Sequence, residues 1–146
     1  MIEKDVCPAR PVLLLLEDDA AVRRSLQLVL EGQGFQVRAY ASPTMLLADH
    51  RGVAAASCLI ADFRLADMDG IEALVMLREQ GWCRPAILVS AHGSKALTRR
   101  ALDSGFSLVL EKPLRQFSLA KTVKQLTVGL DRAAAIPSPI ESSHRA

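Results

Sequence analysis

Charged and hydroxyl side chains follow short aliphatic runs at several points in this sequence. The residues in these positions are Glu17, Asp18 and Asp19, then Asp62, Ser90, Glu111 and Lys112. Carboxylates gathered within a few ångström raise one another's pKa unless a cation lies among them, and their hard oxygens suit Mg²⁺. If the aliphatic runs bring them together, Glu17, Asp18 and Asp62 therefore predict a magnesium site.

Lys112 and Ser90 indicate a second, anionic ligand beside this cluster. An ammonium and a hydroxyl can neutralise and orient the oxygens of a phosphoryl group. A phosphoryl group must also meet a nucleophile, and an aspartate carboxylate can attack phosphorus to form an acyl phosphate. Asp62, alone at the end of its run, is the candidate nucleophile. Asp19 has a simpler interpretation as the N-cap of the helix that follows it.

The elements that must position these side chains form a βα repeat. The predicted strands are Val12–Leu16, Gln36–Tyr40, Cys58–Ala61, Ala86–Ser90 and Ser107–Leu110. The five predicted helices lie around Val22–Glu31, from Pro43 to about His50, after Gly70, over Lys95–Asp103, and around Leu119–Leu130. Continuous apolar runs indicate strands covered on both faces, whereas the alternating run Gln36–Tyr40 indicates a sheet edge. The fold class is therefore α/β, a doubly wound five-stranded parallel sheet with ligands beyond the carboxyl ends of its strands.

Five motifs together resemble the receiver domain of two-component response regulators. In chain order they are Leu14–Asp19, Leu59–Leu65, Met68–Gly70, Leu88–Ala91 and Glu111–Pro113, and the resemblance extends from Val12 to Leu130. The resemblance implies a flavodoxin-like sheet with strand order 2-1-3-4-5. It also implies that Asp62 accepts a phosphoryl group from a sensor histidine kinase or a histidine phosphotransfer protein.

The same resemblance assigns roles to the residues around the phosphoacceptor. The implied metal ligands are Asp18, Asp62 and the backbone carbonyl of Arg64, with Glu17 holding the metal through water. The implied phosphoryl-binding and switch residues are Ser90, Ala91 and Lys112. Mg²⁺ is therefore the expected cofactor.

Two positions depart from the family pattern. Ala66 stands where the family usually has proline, and Val109 stands where it commonly has an aromatic residue that rotates inward on activation. We therefore expect the signal to pass through the helix Lys95–Asp103 and the loop before it. Arg64 and His92 are expected to flank the mouth of the pocket, so we expect them to set the lifetime of the acyl phosphate.

Length and composition predict one domain with flexible ends. The chain has 146 residues, half of them hydrophobic and 23% charged, which suits a single packed domain over residues 11–130. Residues 1–10 and 131–146 are expected to be flexible, and the second segment is too short for an output domain. We therefore expect a stand-alone receiver, a monomer or weak homodimer, that signals to an unidentified downstream protein.

Charge and cysteine content argue against several partners and compartments. The net charge of +2 predicts no broad attraction to DNA or to a membrane, so no direct DNA binding and no membrane association are expected. Three cysteines without C-x-x-C spacing indicate neither a disulfide framework nor a zinc cluster. The early apolar run Val12–Leu16 is too short for a membrane span or a signal peptide. A cytoplasmic location is expected.

Three other functions share part of this pattern. A hydrolase could use Asp62, Ser90 and His92, but a nucleophile elbow requires glycine where the chain has Leu88 and His92. A flavin-binding electron carrier shares the topology, but acids after the first strand would repel its phosphate. A receiver-like interaction domain that is never phosphorylated usually lacks an acid or the lysine. The resemblance implies instead that the chain is no ordinary enzyme but a phosphoacceptor that catalyses its own phosphotransfer and dephosphorylation.

Overall fold

In the computed structural model, which describes residues 10–135, five parallel strands form one sheet. The strands are β1 (Val12–Leu16), β2 (Gln36–Tyr40), β3 (Cys58–Asp62), β4 (Ala86–Ser90) and β5 (Leu108–Glu111). Their order across the sheet is 2-1-3-4-5, and every neighbouring pair is parallel. This confirms the predicted doubly wound α/β fold, with Gln36–Tyr40 at an edge. β5 lies one residue later than predicted, because it excludes Ser107 and ends with Glu111, the partner of Ser90.

Six helices connect or follow the strands within residues 10–135. They are α1 (Ala20–Gly32), α2 (Pro43–Ala48), α3 (His50–Ala55), α4 (Gly70–Glu79), α5 (Lys95–Asp103) and α6 (Gln116–Ala135). Most begin at a residue whose side-chain oxygen accepts a backbone N–H of the first turn, as helix N-termini require. These N-caps are Asp19, Ser42, Asp49, Asp69 and Ser94.

The region between β2 and β3 differs from the single helix predicted from Pro43 to about His50. It contains two short helices, α2 and α3, with Asp49 between them. Asp49 accepts hydrogen bonds from the Gly52 N–H, the Tyr40 hydroxyl and the Arg38 guanidinium. These bonds hold Asp49 outside helical geometry, so the helix ends and a new one starts.

Alternate side chains of the strands build two cores, one on each face of the sheet. Leu14, Leu59 and Leu88 belong to the core that also includes buried residues of α2, α3, α4 and α5. Leu13 and Ile60 belong to the opposite core, which includes buried residues of α1 and α6. Because both faces are covered, the sheet presents its polar chemistry at the carboxyl ends of the strands.

The last helix extends beyond the predicted carboxyl-terminal boundary of the domain. α6 continues to Ala135, whereas a flexible tail is predicted from residue 131. The rest of that predicted tail, and residues 1–9 of the predicted flexible N-terminus, lie outside the described residues. Between residues 10 and 135, no helix combines the length and the apolar character needed to cross a bilayer.

Trp82, the single tryptophan of the sequence, is buried at the amino-terminal end of the sheet. It lies just before β4, and its indole N–H donates to the Ala56 carbonyl at 3.3 Å. The Arg78 guanidinium lies 5.5 Å from the centre of its ring and donates hydrogen bonds to the carbonyls of Trp82, Arg84 and Gly105. The amino-terminal end of the sheet is therefore fixed by packing and hydrogen bonds, whereas the acids lie at the carboxyl-terminal end.

Candidate functional site

The carboxyl ends of the strands place the predicted polar residues at one edge of the sheet. Asp62 is the last residue of β3 and pairs in register with Val89, the residue before Ser90. Ser90 in turn pairs with Glu111, the residue before Lys112. Since Leu16 pairs with Ala61, the acids that follow β1 meet Asp62 at the same level.

Glu17, Asp18 and Asp62 form a cluster of carboxylates. One oxygen atom from each lies within 4.8 Å of the other two. Glu17 and Asp62 are buried, with only 3% and 8% of their surfaces exposed, whereas Asp18 is exposed. Burial raises the pKa of both buried carboxyls. The Asp62 carboxylate raises the pKa of Glu17 further, and the Asp18 carboxylate does the same for the pKa of Asp62.

Lys112 lies against this cluster. Its Nζ is 3.3 Å from Asp62 Oδ1 and 3.4 Å from Glu17 Oε1. Burial acts to lower the pKa of Lys112, but the Asp62 and Glu17 carboxylates outweigh it and raise that pKa, so the ammonium keeps its proton. Three carboxylates against one ammonium leave an excess of negative charge.

The donor set fits Mg²⁺. Three carboxylates converge from two neighbouring strands, and two of them are partly desolvated at a cost that a divalent cation would offset. The backbone holds Glu17 in place, since its Oε2 accepts from the Asp19 N–H at 3.1 Å. Arg23 Nη1 also donates to the Glu17 carbonyl at 2.8 Å. The Glu17 carboxylate is therefore positioned before any cation binds.

The Ser90 hydroxyl is close to the site in the fold but is engaged with its own loop. Ser90 is buried, and its Oγ both accepts from the His92 N–H and donates to the His92 carbonyl, each at 3.2 Å. The next residue, Gly93, donates its N–H to Glu111 Oε2 at 3.2 Å. Ala91 and His92, the two residues after Ser90, are exposed. The loop after β4 is thus fastened at two successive residues.

The loop after Asp62 returns to its starting point. Gly70 N donates to the Phe63 carbonyl at 2.8 Å, and Phe63 N donates to the Val89 carbonyl at 2.8 Å. Arg64 is exposed on this loop, two residues after Asp62. A Cβ at Gly70 would overlap the carbonyl oxygen of Asp62, so only glycine permits this close return.

Arg100 is a residue near the site that sequence patterns do not identify. Together with Lys95 and Arg99 it is most simply interpreted from sequence as part of a solvated helix face. The structure places Arg100 Nη2 3.1 Å from Asp69 Oδ2 and its guanidinium over the Phe63 ring. Phe63 and Asp69 are more than 30 positions away along the chain, so helical spacing could not reveal these contacts.

One known protein family matches most of this chain. The response regulator receiver domain family matches residues 13–124 of this chain. The chain belongs to this family. The resemblance found in the sequence motifs is thereby confirmed, and the acidic cluster matches the metal site expected of a receiver domain of two-component systems.

Curated relatives are longer than this chain. The response regulator protein TmoT of Ectopseudomonas mendocina is 31% identical over 113 residues, which cover 77% of this chain and 51% of that protein. The KDP operon transcriptional regulatory protein KdpE of Escherichia coli is 34% identical over 133 residues, which cover 87% of this chain and 54% of that protein. The chain thus spans about half the length of these relatives.

Solved structures support the fold. The receiver domain of the Francisella response regulator 1452 superposes with a TM-score of 0.77 at 24% identity, covering 83% of this chain and 99% of that one. The flavodoxin-like receiver architecture expected from the sequence is therefore present. Family membership favours a signalling receiver over a flavin-binding electron carrier of similar topology.

Proposed function

We propose that this protein is a receiver that accepts a phosphoryl group on Asp62 in a Mg²⁺-dependent reaction. The donor is the phosphohistidine of a sensor histidine kinase or of a histidine phosphotransfer protein. The observation that carries this proposal is the cluster of Glu17, Asp18 and Asp62 around a single ammonium, Lys112, at the carboxyl edge of the sheet. This arrangement offers a nucleophile, an anion partner and a cation site within one pocket.

The transfer forms one bond and breaks one. A carboxylate oxygen of Asp62 attacks phosphorus, the N–P bond of the phosphohistidine breaks, and the imidazole leaves with that electron pair. Asp18, Asp62 and the Arg64 carbonyl would hold Mg²⁺, with Glu17 acting through water. Bound Mg²⁺ supplies positive charge that neutralises the transferring oxygens. Later attack by water on phosphorus releases inorganic phosphate and restores the carboxylate.

Lys112 and the loop after β4 receive the phosphoryl oxygens. Lys112 already lies 3.3 Å from Asp62, so its ammonium can pair with the new charge without a large movement. The Ser90 hydroxyl and the main chain of Ala91 provide the remaining contacts. To reach them, Ser90 must give up its two hydrogen bonds to His92.

This exchange of partners is the proposed switch. The phosphoryl group carries nearly two negative charges, in place of the single charge of the carboxylate, and its oxygens draw the Ser90 hydroxyl inward. Once Ser90 releases His92, the loop 91–94 keeps only its attachment from Gly93 to Glu111, so this loop and the start of α5 take up a new position. Val109 provides no aromatic ring on β5 to follow this movement, so the changed surface is that of α5 and its loop.

This chain offers an apolar cavity beside the pocket, where a phosphodonor protein could bind. A cavity of about 560 Å³ opens next to Lys112 and is lined by side chains of α1 and of the segment after β5, including Val22, Leu26 and Leu114. Lys112 belongs both to this cavity and to the Asp62 cluster, so a protein bound here would present its phosphohistidine to Asp62.

A Val22→Lys substitution should slow transfer from a protein donor but leave phosphorylation by acetyl phosphate unchanged.

The lifetime of the acyl phosphate depends, in this proposal, on Arg64 and His92. Both residues are exposed, Arg64 two positions after Asp62 and His92 two positions after Ser90, and in this proposal they restrict the approach of water. Replacing each by alanine should shorten the half-life of the phosphorylated protein, measured by loss of the adduct with time. Unchanged half-lives in both variants would remove this part of the proposal.

The product of this reaction signals through protein contact. We infer a cytoplasmic protein that acts on an unidentified downstream partner, without direct DNA binding, as a monomer or weak homodimer. A second candidate function is a receiver-like interaction domain that is never phosphorylated, which the experiment below distinguishes.

Intact mass spectrometry tests the central proposal. The protein is incubated with acetyl phosphate with and without Mg²⁺, together with Asp62→Asn and, as a matched control, Asp67→Asn, an exposed acid in the adjoining loop. Wild type and Asp67→Asn should gain one phosphoryl group only with Mg²⁺, and Asp62→Asn should gain none. An adduct on Asp62→Asn would move the acceptor elsewhere, and no adduct on any protein would favour the interaction domain.

A further inference from the structure

Arg100 connects α5 to both ends of the loop that follows the phosphoacceptor. Its Nη2 lies 3.1 Å from Asp69 Oδ2, at the end of the loop. Its guanidinium carbon lies 5.9 Å from the centre of the Phe63 ring, at the start of the loop and next to Asp62. One side chain from a distant element therefore contacts the first and the last residue of the segment 63–69.

This segment is a closed loop whose ends are packed against Asp62. The hydrogen bond from Gly70 N to the Phe63 carbonyl closes the loop at 2.8 Å. Gly70 approaches the Asp62 carbonyl too closely for any side chain, so the end of the loop packs directly against the backbone of the phosphoacceptor. The loop also carries Arg64, whose carbonyl is a proposed metal ligand.

The contact with Asp69 is additional to helix capping. Asp69 Oδ1 accepts from the Glu72 N–H, and the Glu72 side chain accepts from the Asp69 N–H, so the start of α4 is already capped. The second carboxylate oxygen, Oδ2, is the one that binds Arg100. An ion pair with 50% of the arginine side chain exposed adds little to global stability, so its effect should be local to the loop.

We propose that Arg100 is a positioning residue that holds the loop 63–69 ready for a divalent cation and ties that loop to α5. A loop fixed in advance loses less conformational freedom when the metal binds, which raises affinity. The coupling is reciprocal: if Arg100 helps the loop bind metal, metal binding must in turn stabilise α5. This inference rests on the proposed metal site, but it concerns the unphosphorylated protein.

Two measurements on unphosphorylated protein test this role. Hydrogen exchange of the Gly70 amide, followed by NMR without metal, reports the opening of the loop. Isothermal titration with MgCl₂ reports cation affinity. In Arg100→Ala we expect the Gly70 amide to exchange about 3- to 10-fold faster and Mg²⁺ to bind about 3- to 10-fold more weakly, the effect of one exposed ion pair and one ring contact.

Neighbouring substitutions separate positioning from general damage to the helix. Arg99→Ala is the matched control. Arg99 is also exposed on α5, but it lines a cavity with Val109 and Glu111 on the side of β5. Asp69→Asn keeps the capping oxygen but removes the charge, and should show the same direction of change as Arg100→Ala. Arg100→Lys should lie between wild type and Arg100→Ala in Gly70 exchange and in Mg²⁺ affinity, because lysine keeps the charge but not the planar group.

Coupling to α5 has its own readout. In wild type, saturating Mg²⁺ should slow amide exchange within Lys95–Asp103, and in Arg100→Ala this slowing should be lost. The inference is overturned if Arg100→Ala matches wild type in Gly70 exchange and Mg²⁺ affinity, or if Arg99→Ala changes them equally. Failure of wild type to accept phosphate from acetyl phosphate would contradict the proposed function instead, since neither measurement here involves phosphorylation.

Discussion

Lys112 places an ammonium against two buried carboxylates, and this has opposite effects on the two proposed ligands. A divalent cation must share Glu17 and Asp62 with the ammonium, which lies within 3.4 Å of both. A phosphoryl group instead gains a direct partner from it. The same side chain therefore opposes metal binding and favours phosphoryl binding.

We expect Lys112→Met to separate these two effects. Methionine keeps an apolar stem without charge, so Mg²⁺ affinity, measured by isothermal titration, should stay equal or rise by up to about tenfold. Phosphorylation by acetyl phosphate at saturating Mg²⁺ should slow by about tenfold or more, because the transferring oxygens lose a cationic partner. Arg115→Met, at an exposed position nearby, should change neither. A weaker Mg²⁺ affinity with an unchanged rate would contradict this account.

Asp62→Asn should stabilise the metal-free protein. Burial raises the pKa of Asp62, so the ionised side chain at pH 7 destabilises the fold relative to a neutral amide. We expect the free energy of unfolding at pH 7 without metal to rise by about 1 kcal/mol, measured by urea denaturation. The gain should shrink as pH falls through the raised pKa of Asp62, because the wild-type carboxyl then becomes protonated. A gain that is independent of pH would show that charge is not its cause.

Single residues differ in how far sequence could predict them. Glu17, Asp62 and Lys112 are predictable because each lies at the carboxyl end of an aliphatic strand, and parallel strands end on the same side of the sheet. The hydrogen bonds of Ser90 to its own loop are not predictable, because they depend on one side-chain rotamer. Arg100 is not predictable because its partners lie on another connection of the fold.

At the level of secondary-structure elements, the start of α4 is built around one glycine. Gly70 is the first residue of α4, and a Cβ there would overlap the Asp62 carbonyl and lie 2.9 Å from Leu88 Cδ1. The helix and the end of β3 are therefore packed backbone against backbone. Any side chain at this position must displace the strand that carries Asp62.

Gly70→Ala should consequently damage both stability and the site. We expect the free energy of unfolding to fall by about 1–3 kcal/mol, the usual cost of added bulk in a packed position, and Mg²⁺ affinity to fall with it. Gly32→Ala is the matched control, because Gly32 is also helical but nothing lies within 4 Å of its added Cβ. That variant should be neutral or slightly more stable. Urea denaturation and metal titration of both variants provide the comparison, and equal losses would refute the packing argument.

The connection between β2 and β3 shows why element boundaries were only partly predictable. Ser42 followed by Pro43 is a local signal for a helix start, and it is confirmed. The break at Asp49 depends instead on Tyr40 and Arg38, which contact Asp49 from the neighbouring strand. Local periodicity cannot contain information from tertiary contacts, so the two short helices were predicted as one.

For the whole molecule, metal should reverse the effect of pH on stability. Glu17 and Asp62 have pKa values raised above their ordinary 4.5 and 3.8, mainly by burial, so the metal-free fold binds protons more tightly than the unfolded chain does. Their contribution to stability is therefore present at low pH and lost as pH rises through the raised values. Saturating Mg²⁺ requires the ionised carboxylates, so with metal the contribution should grow with pH.

Thermal denaturation at pH 4 and pH 7, with and without MgCl₂, checks this reversal. The stabilisation by Mg²⁺ should be larger at pH 7 than at pH 4, which lies below the raised pKa of Glu17. A double variant, Glu17→Gln with Asp62→Asn, should lose most of the Mg²⁺ effect at both pH values. Stabilisation by Mg²⁺ that is equal at both pH values in wild type would show that these carboxyls do not bind the cation.

The overall architecture was the most predictable level. Continuous apolar runs such as Val12–Leu16 and Ala86–Ser90 require cover on both faces, and helices of matching spacing lie between them. These constraints act over the entire chain, so an error of one residue in β5 or of one helix break leaves the topology unchanged. Family membership then connects this topology to signalling.

The position of Trp82 has a practical consequence for optical studies of this protein. Trp82 is the single tryptophan of the sequence. It is held between Arg78 and the Ala56 carbonyl at the amino-terminal end of the sheet, remote from the acidic pocket. Its fluorescence should therefore respond strongly to denaturation and scarcely to cation or phosphoryl occupancy. Spectroscopic detection of the signalling state consequently requires a dye or a new fluorophore introduced on the surface of α5.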